Sequence, residues 1–153
     1  MPTLLEEFKS ITKVLNSAGI EYEVCGGWAM AIHGLPRGTI DIDLLILAVD
    51  LDRVRGIARD NGFDIEGLPL HFETEMRRMS KVDAESNELV TLDLLLVSED
   101  DPYDFWTDRL RVLWKEGETS VVSRKSLIGM KRVAGRKQDL ADIEKLEEVT
   151  DES

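Results

Sequence analysis

The sequence predicts an α+β protein in which a mixed β-sheet is flanked by helices. Helix-like and strand-like patterns are interleaved along the 153 residues, and two strand patterns around a polar turn at 84–87 predict a hairpin. The hydrophobic fraction of 42% and the charged fraction of 33% are typical of a globular chain. This length suits a single domain with its own core.

The first half of the chain alternates between helix and strand. Phe8 and Leu15 belong to a series of apolar residues at helical spacing, which Thr3 and Glu6 precede as a capping box and Gly19 ends. In chain order, the predicted elements are a helix over residues 3–18, a strand over 21–25, a short helix over 28–33, a turn-rich loop over 34–38, a strand over 40–47 and a helix over 50–61.

The second half predicts the hairpin and then further helices. Ser123 is a suitable helix N-cap, and Gly135 separates the last two helical patterns. The predicted elements are strands over 70–83 and 88–97, a helix over 101–114, a short strand over 120–122, and helices over 124–134 and 137–148. We expect residues 1–123 to form a core, with residues 124–153 as a C-terminal helical extension packed on it in a single structural domain.

The charge balance restricts the classes of partner. Nineteen Lys and Arg against 31 Asp and Glu give a net charge of −12, and an acidic surface repels nucleic-acid backbones and anionic membranes. Residues 124–138 hold six cations and no acid, whereas residues 139–153 hold seven acids. We therefore expect no broad nucleic-acid backbone binding and no membrane partner.

The sequence also predicts a cytoplasmic location. The longest apolar run has six residues, 44–49, whereas a membrane-spanning helix needs roughly 20. The N-terminus carries acids where a signal peptide would carry basic residues. The single cysteine, Cys25, has no partner for an internal disulfide, and no Cys/His cluster predicts a zinc site.

Three carboxylates lie on strands that look buried. Asp41 and Asp43 are two residues apart and so point to one face of their strand, and Asp93 points away from the leucines on either side of it. If the two strands pair, the three carboxylates converge. Two carboxylates about 4 Å apart repel by roughly 4 kcal/mol at an effective dielectric constant of about 20, so a shared proton or a bound cation is needed. Hard oxygen ligands of this kind suit Mg²⁺.

The alternative is that Asp41 and Asp43 cover a solvent-facing sheet surface and Asp93 is unrelated to them.

A glycine pair lies between a strand and a helix upstream of these acids. Gly26 and Gly27 would let backbone N–H groups approach a phosphate at this position. The alternative is a plain turn, which is what most glycine pairs form.

Together these motifs resemble the signature of the DNA polymerase beta-like nucleotidyltransferase superfamily, most of all its small antibiotic and abortive-infection types. That signature is a hydrophobic residue, a Gly-Gly or Gly-Ser pair and a later Asp-x-Asp. The resemblance covers residues 20–146. The matching residues are Gly26, Gly27, Trp28, Ala29, Gly34, Arg37, Thr39, Asp41, Ile42, Asp43, Leu44 and Asp93, with Lys131, Arg136, Asp139 and Asp142 near the C-terminus.

The resemblance implies a nucleotidyltransferase-like mixed sheet and transfer of a nucleoside monophosphate from an NTP to an acceptor hydroxyl, with release of pyrophosphate. It assigns Asp41, Asp43 and Asp93 as catalytic residues and as ligands of two Mg²⁺ ions, or of Mn²⁺ in their place. The nucleotide-binding residues that it implies are Gly26, Gly27, Arg37, Thr39, Lys131 and Lys137.

Two departures from the family keep a second hypothesis open. Gly27 stands where many members have Ser, and the chain is short. The alternative is a degenerate nucleotidyltransferase-fold module that acts as an antitoxin-like or regulatory partner of another protein. For an active enzyme, the acceptor is open between a small cationic molecule such as an aminoglycoside, a tRNA held by the basic segment 124–137, and a protein.

Several of these residues also have simpler interpretations. Lys131 and Arg136 fit a solvated helix face equally well, and Asp139 and Asp142 are better placed to orient them than to catalyse. Thr39 suits a side chain that closes its loop. We expect His33 to pack or cap rather than to bind a metal.

Overall fold

The computed structural model describes residues 4–35, 41–68, 70–71, 75–98, 109–114 and 117–148. Its elements alternate as the sequence predicts, and a short 3₁₀ turn over Ala48–Asp50 leads into the third helix. In chain order they are α1 (Leu4–Ser17), β1 (Tyr22–Cys25), α2 (Gly26–Ile32), β2 (Asp41–Leu47), α3 (Leu51–Asp60), β3 (Ile65–Glu66), β4 (Leu70–His71), β5 (Glu75–Val82), β6 (Leu89–Val97), β7 (Leu110–Trp114), β8 (Gly117–Val121), α4 (Arg124–Ala134) and α5 (Lys137–Glu148).

A mixed sheet of eight strands runs through the described part of the chain. Seven strands follow the order β3-β5-β6-β2-β1-β8-β7, and β4 pairs with β5 beside them. β2 runs parallel to β6, and β1 runs parallel to β8. The β1–β2, β5–β6 and β7–β8 pairs are antiparallel. The predicted α+β class with a mixed sheet is confirmed.

The two central strands bury a row of aliphatic side chains on one face. On one face, Ile42, Leu44 and Ile46 of β2 and Leu92 and Leu94 of β6 are fully buried. Burying an aliphatic side chain of this size contributes about 1.5–3 kcal/mol, so this face fixes the register. A slip of one residue in the pairing of a strand would turn its aliphatic side chains to the opposite face of the sheet.

Helix α1 closes one part of the core. Phe8, Ile11 and Leu15 are buried along one side of the helix, and the ring of Phe8 stacks on Trp28 of α2 with a centroid separation of 4.4 Å. Gly19 follows the helix with a φ of +71°, a left-handed conformation that ends it as predicted.

The last two helices begin and end where the sequence predicts. The Ser123 hydroxyl accepts a hydrogen bond from the backbone N–H of Ser126 at 3.0 Å, which is the predicted N-cap of α4. Gly135 ends α4 with a φ of +64°. Leu127 and Leu146 join the hydrophobic core, so both helices pack against the sheet.

Two predicted elements are wrong. The helix predicted over 101–114 fails in its second half, because Leu110–Trp114 forms a strand that pairs antiparallel with β8. The apolar residues of this segment fit either element, but a hairpin partner satisfies the backbone groups that a helix would satisfy locally. Residues 101–108 lie outside the described residues. The single strand predicted over 70–83 is two strands, because β4 folds back on β5.

None of the helices in the described segments has both the length and the apolar character needed to cross a membrane.

Candidate active site

The parallel pairing of β2 with β6 brings the three predicted acids together. Asp43 is the direct register partner of Asp93, and Asp41 is the register partner of Thr91. All of these side chains leave the face opposite the aliphatic core, because side chains alternate along a strand. Asp93 is buried, and Asp41 and Asp43 are half-buried. The predicted juxtaposition of the two acidic strands is therefore confirmed.

The electrostatics of this cluster disfavour three bare carboxylates. Burial, then the charges of Asp93 and Asp41 and a side-chain hydrogen bond with Asp93, raises the pKa of Asp43 to about 7. Burial first and the charge of Asp93 second also raise the pKa of Asp41. A site with these properties either keeps a proton near neutral pH or takes up a positive charge.

A positive charge is supplied by Arg78 on the neighbouring strand β5. Arg78 is the register partner of Asp93. Its Nε donates to Asp93 Oδ1 at 2.8 Å and its Nη2 donates to Asp93 Oδ2 at 3.1 Å. Both oxygens of the third acid are therefore held by one guanidinium group, the two-pronged geometry that arginine and carboxylate favour.

Gly26 lies directly against the acid cluster. A Cβ atom built at this position would lie 2.0 Å from Asp43 Oδ2 and 2.8 Å from Asp43 Cγ. The φ of Gly26 is +65°, a conformation that side-chain-bearing residues adopt at a cost. Helix α2 thus begins at Gly26, two residues earlier than the sequence predicts. Only glycine fits at this first position, because a Cβ atom there would overlap Asp43.

Lys131 of α4 forms the centre of a second charged cluster. Its Nζ lies 2.9 Å from Asp142 Oδ2 and 3.8 Å from Asp139 Oδ1. Gln138 donates to the other oxygen of Asp142 at 2.9 Å, and Arg136 Nε donates to Asp139 Oδ2 at 2.7 Å. The predicted pairing of the two helical acids with Lys131 and Arg136 is confirmed, and Lys131 is not on a solvated face.

The residues around the turn between α4 and α5 are coupled electrostatically to the acid cluster. After Asp139, the charge of Asp43 also contributes to raising the pKa of Arg136. The charge of Lys131 acts on the buried Cys25 thiol, although burial and the charge of Asp43 dominate and raise the pKa of that thiol. The charges at the basic end of α4 and the acids at the start of β2 therefore act on each other's surroundings.

The remaining predicted residues are distributed as follows. Lys137 is exposed at the first position of α5, and Gly27 is buried in the first turn of α2. His33 lies 2.9 Å through its Nε2 from the backbone carbonyl oxygen of Val122, so its predicted packing role is confirmed. Arg37 and Thr39 lie outside the described residues.

The fit of the acids to a divalent cation follows from their donor chemistry. No three Asp, Glu, His or Cys side chains of the described segments are already arranged as a metal cage, and both oxygens of Asp93 accept hydrogen bonds from Arg78. Asp41, Asp43 and Asp93 nevertheless offer hard oxygen donors on one face, which suits Mg²⁺ or Mn²⁺. Because burial and the neighbouring carboxylates raise the pKa of Asp43, a cation bound beside it would stabilise its ionised form.

Arg78 is a residue of the site that sequence reasoning missed. A signal for Arg78 is present in the predicted hairpin, because counting outward from the middle of the turn at 84–87 places residue 78 opposite residue 93. Arg136 is among the residues that carry the resemblance, but its electrostatic coupling to Asp43 depends on how two helices pack on the sheet.

No protein-family model and no curated protein sequence matches the chain. Solved structures do. The lincosamide antibiotic adenylyltransferase LnuA, bound to lincomycin, matches with a TM-score of 0.64 and 18% identity, over 95% of this chain and 97% of that one. The chain has the nucleotidyltransferase fold.

Two further structures agree with that assignment of the nucleotidyltransferase fold. ANT(2")-Ia in complex with adenylyl-2"-tobramycin matches with a TM-score of 0.60 and 12% identity, over 91% of this chain and 84% of that one. A proposed nucleotidyltransferase from Thermotoga maritima matches with a TM-score of 0.66 and 16% identity, over 92% and 90% of the two chains. The fold implied by the glycine and Asp-x-Asp motifs is therefore confirmed.

Proposed function

We propose that this protein is a Mg²⁺-dependent nucleotidyltransferase that moves a nucleoside monophosphate from an NTP to an acceptor hydroxyl and releases pyrophosphate. One observation carries the proposal. In a nucleotidyltransferase fold, Asp41, Asp43 and Asp93 share one sheet face in adjacent register, and Gly26 packs against Asp43.

The three acids have distinct roles in this proposal. Asp41 and Asp43 would hold two Mg²⁺ ions together with the triphosphate, and Asp93 would complete the second position. Bound Mg²⁺ would supply charge stabilisation at the attacking and leaving oxygens. Asp93 would accept the proton of the acceptor hydroxyl as the hydroxyl oxygen bonds to the α-phosphorus and the bond from that phosphorus to the pyrophosphate oxygen breaks.

The glycine pair and the basic end of α4 would make the phosphate contacts. The backbone N–H groups of Gly26 and Gly27 would face the triphosphate. Lys131 and Lys137 would offset the charge of the leaving pyrophosphate, and Arg136, whose pKa the charge of Asp43 helps to raise, would assist them. Nucleotide binding by Arg37 and Thr39 stays a prediction of the sequence.

A small cationic molecule is the acceptor that the charge favours. The net charge of −12 attracts a cation and repels an RNA backbone. Two structures with this fold hold an antibiotic or its adenylyl derivative, lincomycin and adenylyl-2"-tobramycin. A tRNA on segment 124–137 and a protein hydroxyl are the other acceptors to be tested. A cytoplasmic location, where NTP is made, is part of this proposal.

The two parts of the chain divide the work in this scheme. We assign the acids and the glycine pair to a core over residues 1–123 and the triphosphate cations to a helical extension over residues 124–153. The burial of Leu127 and Leu146 in the common core supports their packing as a single structural domain.

The decisive experiment is a transfer assay with each NTP labelled at its α-phosphate. Aminoglycosides and lincosamides, total RNA and a protein extract serve as separate acceptors. We expect label in one acceptor class with Mg²⁺, and its loss in Asp43→Asn. Asp60→Asn is the matched control, because Asp60 is an exposed residue at the end of α3.

A non-enzymatic role is the second candidate, and the Arg78–Asp93 contact favours it. A carboxylate already held on both oxygens by arginine is what a module without metal chemistry would show. This antitoxin-like or regulatory module would co-purify with a stoichiometric protein partner. It would transfer label from no NTP, and its melting temperature would be the same with and without Mg²⁺ and ATP.

A further inference from the structure

The contact between Arg78 and Asp93 joins two groups with very different access to water. The Asp93 side chain is 4% exposed, whereas the Arg78 side chain is 46% exposed. A buried carboxylate without a partner is costly, but an arginine that leaves this contact keeps most of its hydration. The contact is therefore one that Arg78 can leave easily, provided that another positive charge takes its place.

The other two acids also act on the same guanidinium group. Asp93 is the main cause of the raised pKa of Arg78, and the charges of Asp41 and Asp43 add to it. Arg78 thus faces the whole cluster from β5. Nε and Nη2 each use one lone pair on an oxygen of Asp93 and bring a positive charge to within hydrogen-bonding distance of that carboxylate. A divalent cation that binds Asp93 while Arg78 keeps this geometry is therefore repelled by the guanidinium group.

Its neighbour on the strand shows that this arrangement is specific to one face. Arg77 pairs with Leu94 rather than with Asp93, and its Nη1 lies 2.8 Å from Glu75 Oε1. The two arginines have the same charge and adjacent positions. Because strand side chains alternate, they point to opposite faces of the sheet.

We propose that Arg78 is a positioning residue that acts as an exchangeable counterion of Asp93. Without metal or nucleotide, Arg78 holds the Asp93 carboxylate. When the metal and the nucleotide bind together, Arg78 releases that carboxylate. This inference rests on the proposed function. In the empty protein Arg78 competes with a divalent cation for the third acid. Binding of a divalent cation alone is therefore weak, and nucleotide strengthens it.

The test measures Mn²⁺ affinity, without turnover, by electron paramagnetic resonance of free Mn²⁺. Each protein is titrated alone and with a non-hydrolysable ATP analogue. We expect Arg78→Gln to bind Mn²⁺ about tenfold more tightly than wild type without nucleotide, because the competing charge-assisted pair is gone. Nucleotide should then strengthen Mn²⁺ binding less than it does in wild type.

Two further variants serve as controls for the charge and for the two-pronged contact. Arg77→Gln makes the same charge change on the opposite face and should leave the Mn²⁺ affinity at the wild-type value. Arg78→Lys keeps the charge without the two-pronged contact, so its affinity should fall between those of wild type and Arg78→Gln. It also provides the measurement if Arg78→Gln does not fold.

The outcomes separate this inference from the proposed function. If wild type and both Arg78 variants bind Mn²⁺ equally in the absence of nucleotide, the counterion role is wrong and the metal site stands. The same conclusion follows if Arg77→Gln gains as much affinity as Arg78→Gln. If wild type binds no Mn²⁺ even with the ATP analogue, the metal site fails, and the role of Arg78 fails with it.

Discussion

The Lys131–Asp142 pair and the Arg78–Asp93 pair are both cation–carboxylate contacts, and they are built differently. Lys131 and Asp142 are 8% and 2% exposed, and Gln138 and Asp139 make further contacts within their cluster. In the Arg78–Asp93 pair only the carboxylate is buried. A pair that is buried at both ends resists separation, whereas a pair with one hydrated end can exchange its partner. The first positions α4 against α5, and the second leaves the third acid open to another cation.

The strongest test of this difference is the stability of Lys131→Met beside that of Arg78→Gln. Removing Lys131 leaves Asp142 and Asp139 buried without their cation, which should cost about 3–5 kcal/mol of unfolding free energy. Arg78→Gln should cost about 1–2 kcal/mol, because the Asp43 side chain still hydrogen-bonds to Asp93. Urea unfolding at pH 7 measures both, and equal losses would contradict the distinction.

Gly26→Ala tests how closely the acid cluster depends on its glycine neighbour. The added Cβ meets Asp43 Oδ2, and the left-handed backbone adds strain, so we expect a loss of about 1–2 kcal/mol. Label transfer should fall by about a hundredfold, because a displacement of 1 Å at the reacting centre has that effect. Gly34→Ala has a positive φ but nothing near its Cβ, so it should lose stability without a matching loss of activity.

The pH dependence of stability follows from Asp43. Its pKa of about 7 in the folded protein exceeds the value of about 3.9 for an unfolded aspartate, so the native state holds a proton that the unfolded state has released. Metal-free stability should therefore fall as pH rises from about 4 to about 7 and then level off. In EDTA, Asp43→Asn should melt several degrees above wild type at pH 8, and the difference should vanish near pH 4.

Asp60→Asn provides the comparison for that pH series. This exposed residue should follow wild type at both pH values. A melting temperature for Asp43→Asn below that of wild type at pH 8 without metal would show that Asp43 is already neutralised by a fixed partner. Arg78 would then be more firmly held than its exposure indicates.

The smallest effect is expected at a pair that is exposed at both ends. Arg132 Nη2 lies 2.9 Å from Glu147 Oε1, and the two side chains are 64% and 53% exposed. Arg132→Ala should change the unfolding free energy by less than about 0.5 kcal/mol, as measured by the same urea titration. A loss approaching that of Lys131→Met would mean that burial does not decide the strength of these pairs.

Local patterns in the sequence were sufficient for the central features of the fold. The alternation around Asp41 and Asp43 and the apolar run around Asp93 each identify a strand and its acidic face. Ser123 and Gly135 mark the ends of α4 by their own side-chain and backbone chemistry. These signals act over a few residues, so a single sequence contains them.

Features that depend on distant partners were harder to predict. The strand Leu110–Trp114 exists because β8 pairs with it, and its apolar residues fit a helix as well as a strand when that partner is unknown. The burial of Lys131 depends on how α5 packs on α4. The electrostatic coupling of Arg136 to Asp43 depends on the same packing, which no local pattern encodes.

The parallel pairing of β2 with β6 has a consequence for how the protein folds. The hairpin of β5 and β6 closes a short loop and can form early, but β2 is separated from β6 by the chain from Leu47 to Leu89. Closing a loop of this length costs entropy before its contacts repay it. We therefore expect the acid cluster to assemble late, after the hairpin, so that a nascent chain has no paired Asp43 and Asp93 until Val97 has left the ribosome.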